Sequence, residues 1–357
     1  MNRLSVLAAT RRLLRRADLD GLIVTHLPNI RYLTAFSGST AVALLTAREC
    51  YLLLDARYLE QAAGEVRQAT VVKVEKDAFT RLAELVRSLC LRRIGFESAG
   101  IRYDLYRKLG RSLGRVKLCP QDSLVESLRR IKSDAEVATI RKALRLTEAA
   151  FREVLPLIRP GLRETDLAAE LEYRLRRKGA QGFSFYTIIA SGPRSSYPHG
   201  VAGRRKLRPG DPIVMDFGIF LDGYASDFTR TVVLGRATGD FRRAYGAVRG
   251  ALERVEASKL VGRKASWVDG VCRTYLETAG LGRYFSHPTG HGLGLEIHEA
   301  PVIGSRSAAV IRAGEVFTLE PGVYIPAQFG IRIEDVVLAG RDGCRRLTRA
   351  SHRLIEL

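Results

Sequence analysis

Cysteine is scarce in this chain and nowhere paired. The five cysteines (Cys50, Cys90, Cys119, Cys272, Cys344) lie far apart, are odd in number and include no CxxC spacing. That pattern excludes a disulfide framework and a thiolate zinc knot, and it predicts buried free thiols in a reducing compartment. Long apolar runs are also missing. Although 46% of the residues are hydrophobic, no stretch approaches the roughly 20 residues needed to span a bilayer. The N-terminal segment MNRLSVLAATRRLLRRADLD spaces its apolar residues helically, which predicts a folded first helix and not a secretion signal. The expected location is the cytoplasm, with no membrane partner.

Lysine is sparse as well. The formal net charge of +20 arises from 58 basic against 38 acidic residues, and arginine carries most of it. Arginine pairs such as Arg11-Arg12, Arg129-Arg130 and Arg345-Arg346 are spread over the whole length. No basic run is interleaved with aromatic residues, and no nucleic-acid-binding motif occurs. The charge therefore reads as solvated surface arginine, and it argues against nucleic acid as a partner.

At 357 residues the chain is long for one core and sufficient for two domains. In the first 120 residues helical patterns alternate with strand-like runs at 21–24, 50–54, 71–74 and 93–96. This predicts an α/β N-terminal domain over residues 1–125. Ser133 and Glu136 form a capping-box pattern ahead of a helix running to about 158, and a second helix follows at 165–179. Strands are expected at 184–190, 213–220 and 224–234. Helices follow at 239–260 and at 266–280, the latter opening with a second box at Ser266 and Asp269. Further strands are expected at 315–320 and 331–338. Residues 126–357 therefore read as an α+β domain in which a helix pair and a set of strands occur twice.

The second half also carries five acid or imidazole side chains in distinctive frames: Asp216 in IVMDFG, Asp227 in ASDFTRT, His291 in HPTGHGLG, Glu320 in TLEPG and Glu334 in RIEDVV. Asp222-Gly223 is a two-residue hairpin turn. With that turn as the loop, Leu221 pairs with Tyr224 and Asp216 faces Thr229. Asp227 then lies two residues along the same face. Two carboxylates so placed among apolar residues cost several kcal/mol without a counter-charge. Glycines around His291 let backbone and ligand approach closely. His199, His287, His291 and His298 all fall in this domain, and imidazole serves as a ligand or as an acid/base near neutral pH. Glu320 precedes Pro321-Gly322 at a strand end. By the period of two, Arg332 and Glu334 share one strand face and Asp335 takes the other.

The ordered Asp, Asp, His, Glu, Glu set resembles the pita-bread metallopeptidases, a family that includes aminopeptidase P, prolidase and methionine aminopeptidase. The segments around Ser191-Gly192, Pro198-His199-Gly200 and Gly290–Glu299 resemble its Xaa-Pro branch. Asn29-Ile30-Arg31-Tyr32 and Asp55-Ala56-Arg57-Tyr58 are similar to the creatinase/prolidase N-terminal domain. The resemblance implies a pita-bread (creatinase/aminopeptidase-like) catalytic domain with two divalent metal ions held by Asp216, Asp227, His291, Glu320 and Glu334. Asp216 and Glu334 would bridge the ions. An oxygen-rich set favours Mn²⁺ or Co²⁺, with Zn²⁺ as the alternative. It further implies Glu320 as proton acceptor, His199 and His298 as substrate-facing histidines, and His287 and Arg332 as supporting residues. The implied substrate is a proline-containing peptide, and the implied assembly is a homodimer. The expected activity is removal of the N-terminal residue before proline, as in aminopeptidase P; the alternative is a prolidase restricted to dipeptides, and a more remote one is a pita-bread module that binds without catalysis.

Overall fold

The computed structural model describes residues 3–357, which divide after Arg129 into two compact units. The first is built on a six-stranded sheet. Its spatial order is Thr70–Val74, Cys50–Asp55, Val42–Thr46, Gly21–Val24, Arg93–Glu97, Lys117–Gln121. The two pairings made by Val42–Thr46 are antiparallel, and the remaining three are parallel. Gly21–Val24 is buried at every position, which is why it reads as a continuous apolar run. The strand Val42–Thr46 is buried throughout as well. It lies outside the expected set, although its apolar run carries the same signal.

The expectation of buried thiols holds only in part. All five cysteines are free, but only Cys50 and Cys272 are buried. Cys90 is exposed, in a turn with φ +53° just beyond the helix Ala78–Ser88. Cys119 and Cys344 are intermediate. Among the described residues no helix is long and apolar enough to cross a membrane.

The second unit opens as its sequence demands. Ser133 caps the helix Asp134–Val154, with the Glu136 side chain returning to the Ser133 backbone; such a cap stabilises a helix by about 1 kcal/mol. The helix Glu164–Arg177 follows. A four-stranded sheet comes next, ordered Ile355–Glu356, Phe228–Val233, Pro212–Phe217, Ile188–Ser191. A second helix pair, Gly239–Glu256 and Ala265–Thr278, precedes a five-stranded sheet containing Gly290–Gly292, Val316–Leu319 and Asp335–Gly340. Each helix pair has its own core. Leu167, Leu171 and Leu175 pack with Ile189, Ile213 and Met215. Val248, Leu252 and Val255 pack with Phe317, Leu319 and Val337.

Several local expectations fail; the strands expected at 213–220 and 224–234, for instance, are each two strands in different sheets. The second capping box does not form, because that helix begins at Ala265 with Lys264 at its N-cap. Asp269 lies inside the helix, where it accepts from the Thr289 backbone and hydroxyl. The strand expected over 331–338 is two strands, Phe329–Arg332 and Asp335–Gly340, in different sheets. The chain leaves strand geometry between them at Ile333 and Glu334, both of them buried.

Candidate metal centre

The hairpin sets the first two carboxylates. Asp222 and Gly223 both have positive φ, +49° and +81°, the geometry of a type I′ turn. Leu221 pairs with Tyr224, and the same register carries Asp216 opposite Thr229. Asp227 stands just before the strand Phe228–Val233. Glu334 reaches the same place from another sheet. The Thr229 hydroxyl donates to Glu334 Oε2 at 2.7 Å, and the Glu334 backbone N–H donates to the Thr229 carbonyl at 3.3 Å. Asp216, Asp227 and Glu334 are all buried, and each offers an oxygen within 4.8 Å of the others.

His291 approaches from the strand Gly290–Gly292. Close packing of this strand requires its glycines: a Cβ on Gly290 would lie 2.0 Å from the Thr318 carbonyl oxygen, and one on Gly292 would lie 2.4 Å from that of Ala300. The His291 Nδ1 faces the Gly292 carbonyl at 3.1 Å. Donation there leaves the Nε2 lone pair directed into the site, 3.4 Å from Asp227 Oδ2 and 3.4 Å from Glu320 Oε1. Thr318 links the two residues: its hydroxyl accepts from the His291 backbone at 3.0 Å and donates to Glu320 Oε1 at 3.0 Å. All five residues expected at the centre are thus brought together.

A polar layer surrounds them. Arg332, buried beside the hairpin, donates to Asp216 Oδ2 at 2.5 Å, to the Tyr324 hydroxyl at 2.6 Å and to the Pro198 carbonyl at 3.1 Å. The Tyr324 hydroxyl lies 2.8 Å from His287 Nε2, and His287 Nδ1 lies 2.7 Å from the Pro288 carbonyl. Those partners assign the proton to Nδ1, with Tyr324 donating to Nε2. The His298 ring packs edge-on against His291 at 4.3 Å between centroids. His199 follows Pro198, whose carbonyl Arg332 holds, and is exposed. Behind Glu334, the fully buried Arg230 donates to the Glu334 carbonyl and forms an ion pair with Asp335 at 2.9 Å. A second acid–histidine group, Glu256, Asp335 and His352, already has its counter-charge in Arg230 and Arg346.

Sequence reasoning missed Thr229, Thr318, Tyr324 and Arg230 as members of this layer. Register placed Thr229 opposite Asp216, and Thr318 shares a face with Glu320, so both carried a usable signal. Arg230 acts across sheets, and Tyr324 joins Arg332 on its partner strand to His287 in a distant loop, which no local pattern reports.

The donor set fits divalent cations. Asp216 Oδ1 and Glu334 Oε1 are buried without a hydrogen-bond partner, and an orphaned buried carboxylate oxygen is costly unless a cation meets it. Four carboxylates and one imidazole form a hard, oxygen-rich set suited to such ions. The comparisons agree. Residues 138–341 match the metallopeptidase family M24, and residues 7–131 match the creatinase/prolidase N-terminal domain.

The chain is a metallopeptidase of family M24.

It is 37% identical to the uncharacterized peptidase YqhT of Bacillus subtilis over 97% of this chain and 98% of that one. Among solved structures, it resembles an Xaa-Pro dipeptidase from Bacillus anthracis with TM-score 0.97, at 35% identity and with both chains fully covered. It also resembles an X-Pro aminopeptidase from Thermotoga maritima with TM-score 0.91, at 34% identity, covering 97% of this chain and 100% of that one. With these prolidase-like neighbours, the catalytic unit of the M24 metallopeptidase has the pita-bread fold.

The electrostatics of this metallopeptidase depend on cations. In the bare site, burial raises the pKa of Asp227 to about 7, the Asp216 and Glu320 charges add to the rise, and the His291 hydrogen bond opposes it. Burial raises Asp216 and Glu334 too, although Arg332 pulls Asp216 back. For His291, burial favours the neutral ring, but the Asp227 hydrogen bond and the nearby carboxylate charges outweigh it and lift the pKa to about 9. Each of these groups binds its proton more tightly folded than unfolded, so stability falls as pH rises. Asp227 loses its contribution between its ordinary value of 3.8 and about pH 7, and His291 loses its own between its ordinary value of 6.5 and about 9. Bound cations hold the ligands deprotonated and remove this dependence. Calorimetry should therefore show the Tm gap between cation-loaded and chelator-treated protein widening from pH 5 to pH 9. A constant gap would contradict this description of the site.

Proposed function

We propose that this metallopeptidase is a two-cation Xaa-Pro dipeptidase, which hydrolyses the bond before a C-terminal proline. The observation that carries the hydrolytic reading is the converged set Asp216, Asp227, His291, Glu320 and Glu334 with its two orphaned carboxylate oxygens. On this reading Asp216, Asp227, His291, Glu320 and Glu334 would hold the cations. Mn²⁺ is the favoured ion. When bound, such a pair supplies an acidified water at neutral pH and polarises the scissile carbonyl. Glu320, whose Oε1 is engaged by Thr318, takes the proton of the attacking water and passes it to the departing nitrogen. Proline leaves as a secondary amine, so that nitrogen must receive a proton. Burial lowers the pKa of His298. Its ring is therefore neutral and available to donate to the developing oxyanion. His199 faces the same carbonyl, while His287 and Arg332 steady the ligands.

The substrate reading changes the order of the two activities. The sequence alone leaned towards aminopeptidase P, whereas the solved structure with TM-score 0.97 is named an Xaa-Pro dipeptidase. The X-Pro aminopeptidase from Thermotoga maritima keeps the second reading in view. A proline amide has no N–H, so either enzyme must recognise the bond without that donor. Metal-loaded protein offered Ala-Pro beside Ala-Pro-Ala decides between them. Cleavage of Ala-Pro alone is the expected result. Equal cleavage of both would make it an aminopeptidase, and cleavage of neither would refute both.

A further inference from the structure

We propose that Glu164 is a positioning residue of this peptidase: its buried carboxylate latches the 191–203 segment and so fixes the place of His199. The inference rests on the substrate-facing role given above to His199.

Glu164 is the first residue of the helix Glu164–Arg177 and is 0% exposed. A buried carboxylate needs donors on both oxygens, and here every donor comes from one loop. Oε1 accepts the backbone N–H of Ser191 at 2.8 Å and its hydroxyl at 2.7 Å. Oε2 accepts the backbone N–H of Gly203 at 2.9 Å and the Arg194 guanidinium. One carboxylate thus grips the entry, the middle and the exit of the segment. Arg194 extends the grip by donating to the Val201 carbonyl at 2.9 Å. The helix backbone adds to it, with Thr165 N–H donating to the Gly203 carbonyl at 3.1 Å. Gly203 packs closely against the latch, where a Cβ would sit 3.2 Å from both Glu164 Oε2 and Arg194 Nη1.

The far side of the segment faces the metal centre. Ser195 Oγ accepts the Gly330 N–H at 2.8 Å, and the Pro198 carbonyl accepts from Arg332, the residue that also holds Asp216. His199 comes next in the chain, and it is exposed. An exposed ring on a loop has little packing to fix it, so its position follows the backbone. That backbone hangs between Arg332 on one side and Glu164 on the other.

Glu164→Gln keeps the shape but replaces one acceptor oxygen with an NH₂ group that must face N–H donors. We expect kcat for Ala-Pro to fall about tenfold, within the 10–100-fold range for outer-layer substitutions. KM and cation content should stay near wild type. In a His199→Ala background the same change should cost nothing further, because the residue it positions is gone. Hydrogen exchange should accelerate within 191–203 and not elsewhere in the catalytic unit. Glu170→Gln, on the same helix, is the control expected to leave activity unchanged. If Glu164→Gln does not fold, Arg194→Gln should give the same pattern at smaller size. An equal loss in both backgrounds, or faster exchange across the whole unit, would reduce Glu164 to a stabilising residue and overturn the proposal. Full activity in His199→Ala would remove the role given to that histidine, and the proposal with it. Exchange confined to 191–203 would still show that the latch itself exists.

Discussion

Asp227→Asn should abolish cation uptake and peptidase activity together, while making the metal-free protein more stable. The two effects share one cause. Asp227 is buried beside Asp216 and Glu334 and within ion-pair distance of His291. Its negative charge is unfavourable in the bare fold and indispensable to a cation. Cation chemistry of this type contributes several kcal/mol to the barrier. Taking about 4 kcal/mol, at roughly 1.4 kcal/mol per tenfold, gives a loss on the order of 10³-fold. The neutral amide also relieves the repulsion, so the metal-free variant should melt above metal-free wild type. Added Mn²⁺ should then raise the Tm of wild type but not of the variant, since stabilisation by a ligand follows its affinity for the native state. An active variant, or one whose Tm rises with Mn²⁺ as wild type does, would show that Asp227 is not a ligand.

Glu320→Gln should fail differently. Glu320 is given two tasks, completing the coordination and accepting the proton of the attacking water. Glutamine keeps a carbonyl oxygen for the first but has no basic carboxylate for the second. Cation affinity should weaken and be recovered with excess Mn²⁺, while kcat remains about 10²–10⁴-fold below wild type, the range for removing a general acid/base. Saturating Mn²⁺ that restores full turnover would leave Glu320 a ligand alone and move proton transfer to another residue.

The centre was legible in the sequence to unequal degrees. Asp216 and Asp227 could be placed on one face because a two-residue turn fixes the register, and register fixes the face. Arg332 and Glu334 also face the centre as the period of two requires, even though their strand breaks between them. His291, Glu320, His199 and His298 came from motif resemblance, since no local period joins segments so far apart. Arg230 and Glu164 act through contacts between elements distant in sequence, and ordinary-looking frames hid them. The fold followed the same rule. Long amphipathic helices such as Asp134–Val154 and Gly239–Glu256 were readable from their caps and periodicity. The buried strand Val42–Thr46 lay outside the expected set, although burial makes it a continuous apolar run like Gly21–Val24.

The whole account turns on whether the five side chains work as a cation site for peptide hydrolysis. The most direct measurement is to strip the protein with a chelator, titrate Mn²⁺ back by calorimetry, and follow Ala-Pro cleavage in the same samples. The account predicts no cleavage in the stripped protein and recovery of turnover as two equivalents bind. Cleavage that persists after stripping, or Mn²⁺ binding that leaves the protein inert towards every Xaa-Pro substrate, would contradict it.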